Sequence, residues 1–255
     1  MQGRRLRHGS IKMKIIIDGK TCEAETGQFL LDIARQNGIE IPSLCHHGAL
    51  PGQACCRLCI VEIEASNGWR SVVVSCVYPV KENISVYTSS EKITRLRKSV
   101  LSLLKERSPE FQGPLADYCS EYGVSGQGLR FNVKKDEKCI LCGLCVKACD
   151  EMGTFAIQTV MRGIQKQVSP PFDEPSSVCI GCTACARVCP THAIEYTNDD
   201  EKRIIWNKTF SLVKCAGCGK PYATEEELQW LKDKLLDTEL NLAYCPKCRG
   251  CISIN

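Results

Sequence analysis

Apolar positions along the first ninety residues change period several times. Lys14–Ile17 is a short apolar run, Asp18-Gly19 is a turn signal, and Thr21–Glu25 returns as the second strand of a hairpin. From Thr26 the spacing becomes helical, with Phe29, Leu30, Ile33 and Ala34 on one face and Gly38 just past its end as a stop. Ile60–Ala65 and Trp69–Val74 then flank Asn67-Gly68, a second hairpin signal. Residues 91–107 read as an amphipathic helix with Ile93, Leu96, Val100, Leu103 and Leu104 on one stripe. Ser108–Gly128, rich in Gly, Ser and Pro, reads as a linker that wraps a neighbour; Gly126-Gln127-Gly128 lacks the strand and helix that a dinucleotide loop requires.

Beyond the linker, Cys139–Cys149 and Cys179–Cys189 share one spacing, each trailed by a short apolar stretch, Phe155–Val160 and Ala193–Tyr196. Near the end, Thr224 with Glu227 forms a capping box ahead of an apolar stripe at Leu228, Leu231, Leu235 and Leu236. The expected class is α+β in four parts. They are a ubiquitin-like β-grasp domain over 13–90, a helix and linker over 91–128, a duplicated cysteine domain over 129–198 and a small cysteine module over 205–255.

Composition sharpens this picture at one residue type. Twenty cysteines in 255 residues is several times ordinary usage. Met1–Ile16 carries Arg4, Arg5, Arg7 and His8 with no apolar run long enough for a signal peptide, so tight Cys-x-x-Cys pairs point to metal rather than disulfides. No stretch approaches the roughly 20 apolar residues of a membrane span, and the expected compartment is the cytoplasm. The formal charge of +4 treats cluster-forming thiolates as neutral and overstates the positive character. No basic stripe exists beyond the short arm Arg4–Lys14, which reads as a frayed terminus with Met13 a natural start, and no nucleic-acid partner is expected.

Cys139-x-x-Cys142-x-x-Cys145-x-x-x-Cys149 matches the bacterial ferredoxin run, and Cys179-x-x-Cys182-x-x-Cys185-x-x-x-Cys189-Pro190 repeats it. Three cysteines at two-residue gaps wrap three corners of a cubane, and the fourth reaches the other cluster. One [4Fe–4S] site is therefore expected at Cys139, Cys142, Cys145 and Cys189, the other at Cys179, Cys182, Cys185 and Cys149. Ile140, Leu141 and Ile180 supply an apolar shell, and backbone N–H groups near Gly143 and Gly181 can reach sulfur. Asp150 stands where the second run has Pro190, and His192 reads as a turn residue. A pair of zinc knuckles would not need the third and fourth cysteine of each run.

Cys45-x10-Cys56-x2-Cys59-x16-Cys76 is a third constellation, in the loop region of the expected β-grasp domain. Its spacing differs from the plant-type [2Fe–2S] run, and alone it leaves Cys55 and Cys56 both open. A Rieske arrangement at His46 and His47 would need a second Cys/His pair, which this segment lacks. Pro42-Ser-Leu-Cys45-His-His followed by Gly52-x3-Cys56-Arg57-x-Cys59-x-Val61-Glu62 resembles the N-terminal ferredoxin domain of complex I's large iron–sulfur subunit. The same region occurs in the diaphorase small subunit of NAD-linked hydrogenases and in related formate dehydrogenase subunits. The resemblance covers roughly residues 13–197, implies a [2Fe–2S] cluster on Cys45, Cys56, Cys59 and Cys76, and favours Cys56 over Cys55. Most relatives carry a His and three Cys after the linking helix for a further [4Fe–4S] cluster. Lys105–Tyr122 has no histidine and only Cys119, so that site is expected to be empty, although Leu115–Tyr118 keeps the family segment.

Cys215-x-x-Cys218 and Cys245-x-x-Cys248 form two knuckles with a 26-residue spacer, suited to a four-thiolate zinc site and similar to the C-terminal extension of some hydrogenase subunits. Cys251, following Cys248 at another two-residue gap, keeps a further iron–sulfur cluster open, as well as a single rubredoxin-like iron. Cys22, Cys55 and Cys119 remain, each expected to be an ordinary buried thiol. No constellation for bond-making catalysis is present. The expected role is a non-catalytic electron-transfer subunit between an NAD(H)- and flavin-binding partner and a second redox subunit. The assembly expected is a soluble hydrogenase, formate dehydrogenase or bifurcating complex. A free-standing polyferredoxin and a zinc-dependent nucleic-acid or scaffold protein are the alternatives.

Overall fold

The computed structural model describes residues 11–125, 136–234 and 241–252, with side chains to residue 250. The basic residues Arg4–His8, Gly126–Gly128, Leu235, Leu236 and the Cys251 side chain lie outside the described residues. The chain divides into two compact units, Met1–Leu144 and Cys145–Asn255.

In the first unit β1 (Lys12–Ile17) and β2 (Lys20–Glu25) pair antiparallel around Asp18-Gly19, where both residues take positive φ. Helix α1 (Leu30–Gln36) follows, then β3 (Ile60–Ala65), β4 (Arg70–Val74) and β5 (Ile84–Tyr87). The sheet order is β2-β1-β5-β3-β4, with β1 and β5 parallel. Ile15, Ile17, Val61, Ile63 and Val86 alternate onto one face and bury Leu30, Leu31, Ile33 and Ala34 of α1. The helix starts at Leu30 and not at Thr26. Thr26 donates its hydroxyl to Ile11 O, Gly27 turns at φ +89°, and Phe29 is half-exposed in an isolated bridge to Pro79.

Helix α2 (Glu91–Arg107) has the expected bounds and is capped by Ser90, whose Oγ accepts from the Ile93 N–H. Its buried stripe is Ile93, Arg97, Leu101 and Ser102, whereas Leu96 and Leu103 face solvent. The helix is rotated from the expected face because Arg97 goes inside. Residues expected as linker contain α3 (Pro114–Glu121), which starts after Gly113 at φ +63° with Pro114 in its first turn. Leu115 and Cys119, four apart, are buried on it.

The second unit holds α4 (Leu144–Glu151, beginning at the division), the hairpin β6 (Gln158–Val160) and β7 (Gln167–Ser169), and α5 (Ala184–Arg187). Four further strands, β8 (Tyr196–Asn198), β9 (Lys202–Ile205), β10 (Lys208–Lys214) and β11 (Pro221–Thr224), form an antiparallel sheet in the order β11-β10-β9-β8. This sheet joins the end of the expected 129–198 segment to the 205–255 segment. Helix α6 (Glu225–Lys234) opens with the Thr224 hydroxyl accepting from the Glu227 N–H, and α7 (Pro246–Ile252) follows. The return half of the capping box is replaced by a contact from Glu227 Oε2 to Arg203 Nη1 at 3.8 Å. Among the described residues no helix is long and apolar enough to cross a membrane.

Candidate metal centres

Cys45, Cys56, Cys59 and Cys76 are all buried in the first unit, and Cys55 beside them is exposed. They arrive from three places: the loop after α1, the loop into β3, and a 3-10 turn, Ser75–Val77, after β4. Ser75 fastens the third to the second, donating both its N–H (3.1 Å) and its hydroxyl (2.7 Å) to Cys59 O. The Cys56 N–H donates to Cys45 Sγ at 3.3 Å. The thiols of Cys56 and Cys76 both bond the Cys45 sulfur, which draws the Cys45 pKa down to about 2 and pushes those of the two donors up. Cys76 also bonds Cys59, drawn down to about 6. Four buried cysteines joined through sulfur contacts in the order Cys56, Cys45, Cys76, Cys59 suit a thiolate-ligated cluster.

Two features missed by the sequence reading hold this arrangement. Gly52 passes so close to Cys76 that a Cβ there would lie 2.5 Å from Cys76 O. Arg97, 3% exposed, sends its guanidinium to Leu58 O (3.1 Å), Ile60 O (2.8 Å) and Tyr122 Oη (3.0 Å), bracketing Cys59. The two histidines do local work. His46 Nδ1 lies 2.7 Å from Arg35 Nη1, burial and that guanidinium lowering its pKa, and His47 Nδ1 accepts from the Ala49 N–H.

In the second unit Cys149, Cys179, Cys182 and Cys185 line one largely apolar cavity with Ala156, Ile157, Ile180 and Ile205. The last cysteine of the first run thus sits among the first three of the second. The Ala156 N–H donates to Cys149 Sγ at 3.1 Å, and the backbone N–H groups of Gly181 and Ala184 bond Cys179 and Cys182. Burial pushes all three thiols of the second run upward, Cys185 to about 12. Two polar atoms on the same wall, Thr183 Oγ1 and Trp206 Nε1, are buried with no hydrogen bond of ordinary geometry among the described residues, the indole interacting only weakly with the Cys185 thiol. Such orphans are rare and costly, and acceptor sulfides inside the cavity would satisfy both, so these residues fit an iron–sulfur cluster.

The loop carrying these cysteines is clamped by the four-stranded sheet. Lys208 Nζ donates to Ser177 O (3.1 Å) and Cys179 O (2.7 Å), Thr224 Oγ1 to Ile180 O (2.5 Å) and Arg203 Nη1 to Gly181 O (2.7 Å). Gly181, at φ +69°, packs so tightly that a Cβ would meet Phe210 at 2.9 Å. Of the remaining expected set, Cys139 and Cys142 belong to the first unit and Cys145 and Cys189 to the second. Leu141 N–H donates to Cys139 Sγ (3.4 Å) and Ala193 N–H to Cys189 Sγ (3.2 Å).

Cys215 and Cys218 follow β10, and Cys245 and Cys248 lead into and lie on α7. Their four Sγ atoms lie within 4.8 Å of one another, Cys218 and Cys245 at 4.0 Å. The N–H groups of Gly217 (3.4 Å) and Cys245 (3.2 Å) donate to Cys215 Sγ, whose pKa falls to about 6. Arg249 donates to Asn241 O and Tyr244 O and holds the second knuckle. Of the leftover thiols, Cys22 and Cys119 are buried as expected, whereas Cys55 is exposed, its thiol turned out of the loop to Gln53 O.

Residues 11–91 match the model of a 2Fe-2S iron-sulfur cluster binding domain, and residues 133–196 and 178–224 match models of 4Fe-4S dicluster domains. The chain is 32% identical over 211 residues (71% of this chain, 36% of the relative) to NADP-reducing hydrogenase subunit HndD of Solidesulfovibrio fructosivorans. It is 31% identical over 202 residues (70% and 23%) to NADPH-Fe(3+) oxidoreductase subunit alpha of Geobacter sulfurreducens. To the NADH-ubiquinone oxidoreductase 75 kDa subunit of Reclinomonas americana it is 29% identical over 176 residues (69% and 22%). The chain thus spans about a fifth to a third of the length of these relatives. A solved NAD+-reducing [NiFe]-hydrogenase in the H2-reduced state superposes with a TM-score of 0.60 at 24% identity, covering 71% of this chain and 85% of that one. The likeness to hydrogenase and complex I-type iron–sulfur subunits, read first from cysteine spacing, holds.

Proposed function

We propose that the chain is the electron-transfer iron–sulfur subunit of a multi-subunit NAD(P)-linked oxidoreductase of the hydrogenase, formate dehydrogenase or bifurcating type. It would stand between a flavin- and NAD(H)-binding subunit and a second redox subunit. The clusters supply one-electron steps when bound. Cys45, Cys56, Cys59 and Cys76 would hold the [2Fe–2S] cluster on a β-grasp domain, a reading supported by the sheet order with α1 against one face. Cys179, Cys182, Cys185 and Cys149 would hold one [4Fe–4S] cluster, and Cys139, Cys142, Cys145 and Cys189 the other. The observation that carries the proposal is the cavity shared by Cys149 and the second run, walled by apolar side chains and two unsatisfied donors.

The tail is proposed as a structural zinc site on a ribbon-like module. A tetrahedral four-thiolate ion with bonds of about 2.3 Å sets its sulfurs about 3.8 Å apart. The observed spacing fits one ion, whereas a cubane holds its thiolates further apart because four irons separate them.

Anaerobic isolation from the native host tests both readings. About ten irons, about ten sulfides and one zinc per chain are expected from the cluster types, together with co-purifying flavin protein. Colourless, iron-free protein would refute the carrier, about fourteen irons would refute zinc, and a chain isolated alone would point to a free shuttle.

A further inference from the structure

The β9–β10 connection is two residues long, Trp206 and Asn207, both at positive φ (+52° and +57°). That backbone is a type I′ turn, whose first position favours Asn, Asp or Gly over a bulky aromatic residue. Tryptophan is strained there. Its side chain carries a second unfavourable feature, because the indole Nε1 is buried with no hydrogen bond of ordinary geometry among the described residues and only a weaker interaction with the Cys185 thiol. Strain and an orphaned donor in one residue are both accounted for if the indole serves something absent from the protein chain itself.

The position of the ring says what that is. Trp206 lines the cavity of Cys149, Cys179, Cys182 and Cys185 and stands beside the Cys185 thiol. Its hairpin is fixed on both sides. Arg203 of β9 holds Gly181 O, Lys208 of β10 holds Cys179 O, and Phe210 packs on Gly181. The indole N–H is thus held by the same strands that hold the cysteine loop, with little freedom to turn elsewhere.

Resting on the reading above and going further, we propose that Trp206 is a potential-setting residue. Its indole N–H donates a hydrogen bond to a sulfur of the cluster held by Cys149, Cys179, Cys182 and Cys185. The sign follows from charge. The reduced cluster carries one more negative charge than the oxidised one, a donor stabilises it more, and removing the donor lowers the potential.

The test is a redox titration of Trp206→Phe in the anaerobically isolated complex, followed by electron paramagnetic resonance. One [4Fe–4S] potential should fall by an amount equivalent to about a tenfold loss in the reduction equilibrium, about 59 mV for a one-electron couple. The other two clusters should not move. Full iron content with all three potentials unchanged would overturn the proposal. Should the variant lose the cluster, pulsed resonance on protein carrying 15N-indole tryptophan decides. Nitrogen coupling to the reduced cluster must persist in Trp69→Phe and Trp230→Phe, and its absence would overturn the proposal. A wild-type complex lacking a second [4Fe–4S] cluster by iron count would instead sink the functional reading, independently of Trp206.

Discussion

Replacing Arg97 by methionine isolates what a buried cation does beneath the [2Fe–2S] ligands. The guanidinium donates to Leu58 O, Ile60 O and Tyr122 Oη, and no carboxylate among the described residues pairs with it. Methionine keeps most of the buried stem and removes all three donors. Two carbonyls lose their side-chain partner at about 1–3 kcal/mol each, while the Tyr122 hydroxyl can turn to another acceptor. Relief from burying an isolated charge offsets part of this, leaving a net loss of about 3 kcal/mol. At roughly 2–4 °C per kcal/mol for a unit of this size, the melting temperature should fall by about 10 °C. Calorimetry of the reconstituted chain reads that directly. Redox titration should show the [2Fe–2S] potential moving down, because a positive charge that stabilises the reduced state is gone. A melt within about 2 °C of wild type, together with an unmoved potential, would refute the reasoning.

Gly52→Ala should eliminate the [2Fe–2S] signal while both [4Fe–4S] signals survive, since its Cβ would lie 2.5 Å from a backbone oxygen of Cys76; resonance spectra and iron counts check this. Cys149→Ser should damage the cluster whose other ligands lie thirty or more residues later; loss confined to the Cys139–Cys145 site would contradict the crossed assignment. Cys248→Ser should release the tail metal to a chelator at neutral pH without changing the iron count, measured by zinc and iron analysis side by side; iron loss would point to iron in the tail.

The cysteine groups that the fold brings together at Cys45–Cys76, at Cys149 with Cys179–Cys185, and at Cys215–Cys248 were legible in the sequence because such groups are built from short segments at fixed spacing, and spacing is what a sequence displays. The hairpins at Asp18-Gly19 and Asn67-Gly68 were legible for the same reason, since a two-residue turn states its own geometry. The face of α2 was not. Periodicity counts Arg97 as polar and outward, and only the carbonyls of a loop nearly forty residues earlier draw it inside. Helix α3 was hidden under glycine, serine and proline, though Gly113-Pro114 with Leu115 and Cys119 four apart was a start signal and a buried stripe in plain view. Thr26 was credited with opening α1 while its hydroxyl was committed to Ile11 O.

The carboxy-terminal segment changes meaning most between sequence and structure. Read along the chain, it is a metal knuckle appended behind a finished ferredoxin repeat. In the fold, β8 closes the repeat and pairs directly with β9, so no seam separates the two. Three consecutive residues of the second cysteine run, Cys179, Ile180 and Gly181, each give a carbonyl to a side chain from β10, the end of β11 or β9, and Phe210 fills the space that Gly181 leaves. The tail's cysteines begin one residue after β10 ends, and the Cys215 N–H bonds Lys220 O to close the turn into β11. Tyr222 on β11 donates to Leu242 O, tying that strand to the segment that carries Cys245. A tetrahedral ion there would fasten the two strands that deliver Lys208, Phe210 and Thr224, at the end away from the Trp206 turn. On this geometry a metal in the tail would act as a staple on the wall of the second cysteine cavity: removing it would loosen the clamp on the cysteine loop, and a cluster held there would feel the loss only through the strands.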